Sequence, residues 1–371
     1  MKYCKRCVMP DTRPGIKFDT NGICMPCKNY EKQASTNFAA RQQELEILCS
    51  KYRGKYKNGY DCAIAVSGGK DSYFQVYFMK EVMKMNPILL SVGNIDYTQT
   101  GIQNLQNLQD VFNCDLITLH PNVNIDRTMS RKAFVEIGSP TWYADALIYA
   151  YPYRMTMQLG LHLLVYGENV NYTYGGKYDI ETYSAKLQPL NDVVKPVWDE
   201  WMGEVTEKDL NSAKQPTLED CEKHGLNPIY LSYFTHWDSH NNYLLAKRYG
   251  FRSLIHEYQR EGTIEQYNQI DSISYLLNQW LKYPKFAHAS ATEMASRWIR
   301  SGIKTRDEAV ALVKEKDKIL DQGIVDNFIS FTGMTTREFW ATIDKWYNPL
   351  LFEKDDKGLW HEKFEVGKGM K

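Results

Sequence analysis

Between residues 58 and 166 the chain alternates short apolar runs with longer stretches whose apolar side chains return every three or four positions. Cys62 to Val66 is continuous in small and β-branched residues and begins just after the turn pair Asn58-Gly59, so it reads as a short buried strand. Lys70 to Met85 then sets Tyr73, Val76, Tyr77, Met79, Lys80 and Met83 at helical spacing. The alternation repeats. Pro87 to Val92 predicts a second strand, Ile102, Leu105, Leu108, Val111 and Phe112 mark a helix, and Cys114 to Leu119 predicts a third strand. A Tyr- and Met-rich helix over Tyr143 to Leu159 stops at Gly160 and leads into a fourth strand, His162 to Tyr166. Strands separated by helices of this length form right-handed βαβ units, hence an α/β fold with a parallel sheet covered on both faces. Ligands bind such sheets at the carboxyl ends of the strands, which places Ser67 to Ser72, Gly93 to Asp96 and Gly167 to Asn169 on one rim.

Outside this region the pattern changes. Asn37 to Tyr52, with Leu45, Leu48 and Cys49 among Arg, Gln and Glu, reads as an amphipathic joining helix. Beyond about Lys195 the alternation fades; Pro196 to Pro216 is irregular and acidic, and the remainder is mostly helical. Tyr267, Ile270, Ile273, Leu276, Leu277, Trp280 and Leu281 form one apolar stripe. Thr305-Arg306-Asp307-Glu308 and Thr335-Thr336-Arg337-Glu338 are capping boxes, and a charged tail from Glu353 is expected to fray. The expected division is 1–34, 35–200 and 201–371.

Composition narrows the function. The 371 residues carry 45 basic and 45 acidic side chains, net +0, so no global field points to nucleic acid or an anionic membrane. No apolar run approaches the ~18 residues of a membrane span, and Met1-Lys2-Tyr3-Cys4 lacks a signal-peptide core, so a cytoplasmic protein is expected. The 26 Tyr and 9 Trp suit both a sugar-stacking surface and an aromatic core.

Two segments carry chemistry. Cys4-Lys5-Arg6-Cys7 and Cys24-Met25-Pro26-Cys27 are paired Cys-x-x-Cys turns, a spacing that closes four thiolates around one structural zinc ion; a redox or iron–sulfur role is the competing reading. Four cysteine ligands leave no open position for catalysis. The second is Ser67-Gly68-Gly69-Lys70-Asp71-Ser72, where a strand feeds a helix N-terminus. Glycines there let the backbone approach an anion, and free N–H groups, two hydroxyls and Lys70 make a phosphate cradle. The run does not fit the Gly-x4-Gly-Lys-Ser/Thr P-loop. It resembles the SGGxDS signature of the PP-loop ATP pyrophosphatases, a HUP-like fold of adenine nucleotide hydrolases that cleave ATP between the α and β phosphates. That resemblance implies ATP held by Ala65, Val66, Ser67, Gly68, Gly69, Lys70, Asp71 and Ser72, with Gly93 and Gly167 on the neighbouring strand ends. Asp71, and in a lesser role Glu168, would position Mg²⁺, since a hard cation bridging phosphates takes carboxylate oxygen. Lys70 either supports departing pyrophosphate or is a solvated surface lysine.

Over nearly the whole chain the sequence resembles the bacterial N-acetyl sugar amidotransferases, and within them the pseudaminic-acid branch. The cysteine pairs around Val8 to Thr12, the Ser67 loop, Gly167-Glu168-Asn169, Glu257 to Asp271 and Lys282 to Arg300 carry the likeness. It implies conversion of a sugar N-acetyl group to an acetamidino group for lipopolysaccharide or flagellin glycans: ATP adenylates the amide oxygen, and ammonia displaces AMP. Lys70, Asp71 and Glu168 are the catalytic candidates, and Tyr174, Lys177, His236, Trp237, Glu257 and Arg260 the sugar-binding ones, Arg260 as a bidentate partner for a sugar carboxylate. The start Met1-Lys2 offers no N-terminal cysteine nucleophile, and Cys49, Cys62 and Cys114 fall in helix or buried strand, so ammonia is expected from a separate glutaminase subunit or free in solution. Neither nucleic acid nor membrane is an expected partner, and a homo-oligomer stays open. Two alternatives remain: tRNA thiolation by a PP-loop enzyme, against which no Cys-x-x-Cys lies outside the first 27 residues, and a non-catalytic zinc scaffold.

Overall fold

The computed structural model describes residues 1–93, 96–176, 180–186 and 205–371. Its centre is a five-stranded sheet of β1 (Cys62–Ala65), β2 (Pro87–Val92), β3 (Leu116–Leu119), β4 (Leu163–Tyr166) and β5 (Asn227–Tyr230). The order is β3-β2-β1-β4-β5 and every neighbouring pair is parallel. Side chains alternate between two cores because strand residues point to opposite faces in turn. Ile64, Leu89, Val165 and Ile229 enter one core, while Ala63, Leu90, Leu164 and Tyr230 enter the other. Burial on both faces explains why β1, β2 and β4 read as mostly apolar runs.

The helices follow the predicted alternation. These are α1 (Met25–Gln33), α2 (Phe38–Ser50), α3 (Lys70–Tyr77), α4 (Gln99–Phe112), α5 (Val123–Ile137), α6 (Trp142–Gln158) and α7 (Val170–Tyr174). Asn37 starts α2 by accepting from the Ala40 N–H at 3.0 Å. The helix expected to reach Met85 leaves α geometry at Phe78 and continues as a π turn to Val82. Helix α5, which carries no clear sequence signal, covers α6.

The second half departs further from expectation. Strand β5 belongs to the sheet although it lies beyond residue 200, in the stretch read as helical. Pro228 is tolerated there because β5 is an edge strand, and the edge is covered by Tyr183 to Ala185 through Ala185 N–H to Pro228 O at 2.9 Å and Tyr230 N–H to Tyr183 O at 2.7 Å. Of the irregular segment, residues 196–204 lie outside the described residues, and Glu207–Leu210 and Asn211–Ala213 form short helical turns. The helices are α8 (Ser239–Arg248), α9 (Ile273–Phe286), α10 (Ser290–Arg300), α11 (Arg306–Lys316), α12 (Gln322–Thr332) and α13 (Thr336–Trp346). Tyr267 and Ile270 are buried but precede α9, so the apolar stripe is helical only from Ile273. The tail does not fray. It folds as two antiparallel hairpins, Phe352–Lys354 with Trp360–Glu362 and Phe364–Glu365 with Gly369–Met370, whose Phe352 and Phe364 bury against Tyr283. The two halves share one core: Phe134 of α5 stacks on Phe339 of α13 at 5.3 Å between centroids and meets Phe328 of α12 edge-on at 5.1 Å.

Both expected capping boxes form. Thr335 Oγ1 accepts from the Glu338 N–H at 3.2 Å while Glu338 accepts from the Thr335 N–H at 2.7 Å. Thr335→Ala is expected to cost about 1 kcal/mol, read as a lower urea midpoint at unchanged slope. An unchanged midpoint would show that packing alone holds α13.

Candidate functional site

The order β3-β2-β1-β4-β5 reverses between β1 and β4, and the crevice beyond their carboxyl ends is where such sheets take ligands. The Ser67 loop leaves β1 there. Ser67 N–H donates to Ser72 Oγ at 3.0 Å, and Gly69 N–H to Ser67 Oγ at 3.3 Å, closing the turn on itself. Gly68 has φ +85°, and a Cβ on it would lie 2.9 Å from the Leu105 backbone of α4. Only glycine meets both demands. Gly69 then starts α3 in extended conformation with no side-chain cap, so the first N–H groups of the helix face the crevice for an anion.

A cavity of about 200 Å³ fills this crevice. Ala65, Val66, Ser67, Asp71 and Ser72 form one wall and Gly167 and Glu168 another, with Ile148, Tyr149 and Pro152 of α6 as an apolar side. Trp237 and Asp271 complete it from the second half of the chain. Gly93 lies behind the wall; a Cβ there would fall 2.5 Å from His120 Nδ1.

Lys70 is not a solvated surface lysine. Its side chain is 3% exposed and Nζ pairs with Asp71 Oδ2 at 2.5 Å, while Asn242 of α8 donates to Asp71 Oδ1 at 2.8 Å. Glu168 accepts from Trp237 Nε1 at 2.9 Å and from the Tyr174 hydroxyl. Burial, reinforced by the nearby Asp71 charge, raises its pKa. Trp237 and Tyr174 also line a second cavity of about 30 Å³ with Tyr30, Asp238 and Arg297. Arg297 stands over the Tyr174 ring at 4.3 Å, a cation–π contact, and the charges of Tyr174, Glu293, Glu168 and Asp71 raise its pKa against burial.

Three of the sugar-binding candidates, His236, Glu257 and Arg260, line neither cavity. His236 is exposed and meets Tyr30 and Phe38 edge-on at 6.1 and 5.9 Å, but lines neither cavity itself. Glu257 accepts from the Thr100 N–H at 2.8 Å and so caps α4. Arg260 is buried and paired through one guanidinium nitrogen with Glu265 at 3.2 Å and Thr263 at 3.0 Å, away from the cavity. Lys177 lies outside the described residues. Arg297, Asp271, Asn242 and Gln75 are the site residues that the sequence reading did not single out, and no local pattern marks them.

The four N-terminal cysteines are buried with sulfurs within 4.8 Å of one another, Cys7 and Cys24 at 3.7 Å. A tetrahedral ion with bonds of ~2.3 Å sets its sulfurs ~3.8 Å apart, so the cluster fits a single four-coordinate metal. Cys7 and Cys24 N–H groups donate to Cys4 Sγ at 3.4 and 3.3 Å, which favours the thiolate. The module is tied to the site: Asn29 of α1 donates to Tyr172 O at 2.9 Å, and Arg13 donates to Gly175 O, at either end of the α7 turn that carries Tyr174. The remaining cysteines, Cys49, Cys62, Cys114 and Cys221, are buried, and none lines the cavity. Among the described residues no helix is long and apolar enough to cross a membrane.

With this geometry in view, the chain is an α/β protein built on a five-stranded parallel sheet, with an N-terminal four-cysteine cluster, a helical C-terminal region and an SGGxDS-type loop at the carboxyl end of β1. Residues 261–366 match the family model described as LPS biosynthesis protein WbpG-like, C-terminal domain, so the resemblance to sugar-biosynthesis PP-loop proteins holds at that level. A curated protein of Methanocaldococcus jannaschii, described as uncharacterized, is 31% identical over 170 residues, 45% of this chain; the chain spans 59% of that relative's length. Among solved structures, the NMN synthetase of Francisella tularensis aligns at 11% identity and TM-score 0.32 over 77% of this chain and 97% of its own. The U34-tRNA thiolase NcsA of Methanococcus maripaludis, solved with a 4Fe-4S cluster, aligns at 14% identity and TM-score 0.32 over 85% and 88%. Likeness that slight decides no chemistry.

Two predictions follow from the site's electrostatics and its metal module. Cys24→Ser is expected to lower bound metal, measured by elemental analysis, and to alter Trp237 emission through α1 and α7; full metal content would refute the four-thiolate site. Asp126 of α5 is buried, bonded only weakly to Ser130 at 3.4 Å, and pushed up to about 7 by burial and then by Asp96. Since the folded state holds this proton more tightly than the unfolded chain, stability is full below about pH 4 and falls as pH rises through 7. Asp126→Asn should remove that fall and stabilise the protein at pH 8 by on the order of 1–2 kcal/mol; parallel stability-against-pH curves for the two proteins would contradict it.

Proposed function

We propose that this protein is an ATP-dependent amidotransferase that converts the N-acetyl group of a sugar to an acetamidino group in surface-glycan biosynthesis, with pseudaminic-acid-type sugars among its acceptors. The observation that carries the reading is the composite cavity. Asp271, from the region matched to lipopolysaccharide biosynthesis proteins, lines the same space as the Ser67 loop. A nucleotide activator and a glycan-specific region thus meet at one reaction centre.

The residues suit the chemistry. Pyrophosphate of ATP would lie against Ser67, Gly68, Gly69 and Ser72 and the first N–H groups of α3, with Ile148, Tyr149 and Pro152 against the adenine. Asp71 would hold Mg²⁺ together with phosphate oxygens, since Mg²⁺ in such sites takes one or two carboxylates plus phosphates. The amide oxygen attacks the α-phosphorus and pyrophosphate leaves; ammonia then displaces AMP from the imidate carbon. Such a site works by positioning and charge stabilisation without a protein nucleophile. Arg297 would take an acidic group of the acceptor, the role the sequence suggested for Arg260. Zinc would occupy the cysteine cluster in a folding role. Ammonia would come from a separate glutaminase subunit or from solution in the cytoplasm.

Mass spectrometry of the protein with Mg-ATP, ammonium and N-acetylated sugars, both nonulosonic acids and nucleotide-linked hexoses, tests this directly. The expected products are AMP, pyrophosphate and a sugar lighter by about one mass unit, and Asp71→Ala should lower their formation at least about 100-fold while keeping the fold. ATP consumed only when tRNA and a sulfur donor are present would replace this reading with thiolation.

A further inference from the structure

Three carboxylates, Asp71, Glu168 and Asp271, line the cavity. Two are engaged by other side chains: Asp71 by Lys70 and Asn242, Glu168 by Trp237 and Tyr174. Asp271 differs. Among the described residues no other side chain donates to its carboxylate, and its hydrogen bond comes from its own backbone N–H. Its backbone is nonetheless held hard. Thr98 donates through its N–H to Asp271 O at 3.1 Å and through Oγ1 to Ile270 O at 2.6 Å. Gly101 of α4 approaches so closely that a Cβ would lie 2.7 Å from Asp271 Cα. On the other side, Asp96 takes the Ser272 hydroxyl at 2.7 Å and the Ser274 N–H at 2.5 Å. Gln269, two residues earlier, is held at φ +50°, in the left-handed region. A carboxylate that is free at its oxygens and fixed at its backbone is what proton transfer at a defined atom requires.

We propose that Asp271 is the proton acceptor of the reaction, taking the N–H proton of the acceptor amide as the amide oxygen attacks the α-phosphorus. The inference rests on the amidotransferase reading. Loss of that proton gives a neutral imidate; the bond from the α-phosphorus to the bridging oxygen breaks, and pyrophosphate leaves with the electron pair. The proton passes from Asp271 to a pyrophosphate oxygen and departs with it. Ammonia's lone pair then forms the C–N bond, AMP leaves with the C–O pair, and the three hydrogens of ammonia complete the amidinium. Burial pushes the Asp271 carboxyl up to about 6, the Asp96 charge adding and Lys70 opposing, with Tyr275 of α9 the further titratable group beside it. Asp71 and Glu168 share its cavity. A base so placed is ionised, yet near its best proton affinity, at neutral pH.

The test compares wild type with Asp271→Asn in sugar-dependent AMP release between pH 5 and 9, using N-acetylneuraminate and UDP-N-acetylglucosamine as acceptors, with Mg-ATP affinity from calorimetry. The expected result is a loss of at least about 100-fold in kcat, Mg-ATP affinity within threefold, and disappearance of the acid limb that wild type shows near pH 6. Circular dichroism checks the fold. If Asp271→Asn does not fold, Asp271→Glu takes its place, with slowed kcat and a displaced acid limb as the expected signature. Activity within threefold of wild type, an acid limb that persists, or recovery at raised Mg²⁺ would overturn the proton role and leave the amidotransferase reading standing. If wild type releases AMP with neither sugar but does so with tRNA and a sulfur donor, the reading itself fails, and the proposal with it.

Discussion

Burying carboxylates around a single cavity is the constraint on which this structure depends. An ionised carboxylate out of water is costly unless donors or cations surround it, and one without them holds its proton more tightly, as Asp271 does. Lys70 and Asn242 do this for Asp71, and Trp237 and Tyr174 do it for Glu168. Each donor comes from a different element, so the elements must sit where they do for the charges to survive. The same arrangement leaves the cavity acidic when empty, which suits a ligand that arrives with a divalent cation and disfavours bare phosphate.

The cysteine module extends this logic outward. Its α1 helix packs on α7, and the hydrogen bonds from Asn29 and Arg13 fix the turn that presents Tyr174 to Glu168. Arg306 of α11 donates from the other side to Cys7 O at 3.2 Å and Cys4 O at 3.4 Å, so the module is clamped between the site and the C-terminal helices. A metal held by these four cysteines would act through position, by stiffening one wall of the second cavity.

What could be read in the sequence follows from how locally each feature is determined. Strands β1, β2 and β4 were legible because burial on both faces makes them almost wholly apolar, half-buried β3 because it stays mostly apolar and follows a clear helix pattern, and the capping boxes because both partners lie within four residues. Strand β5 escaped because it contains Pro228, a mark against a strand except at an edge, and edge position is a tertiary fact. Arg260 and Arg297 show the same limit from the other side. In sequence they are equivalent cations. Glu265, five residues on, pairs with Arg260 within its own loop, whereas Arg297 meets the Tyr174 ring from 123 positions away. Only the fold tells the two arginines apart. Asp271 sat in a stretch noticed for its likeness, but that it faces the Ser67 loop depends on how α4 and α9 pin it.

The division near residue 200 marks a change of pattern and not a seam. Cut there, the sheet loses β5, α3 loses the α8 helix packed along it, Asp71 loses Asn242, and Glu168 loses Trp237. The cavity's carboxylates would then face water or one another without their donors. The two halves are for this reason not separable: the region that resembles lipopolysaccharide biosynthesis proteins supplies Asp271 to the wall of the cavity beside the Ser67 loop.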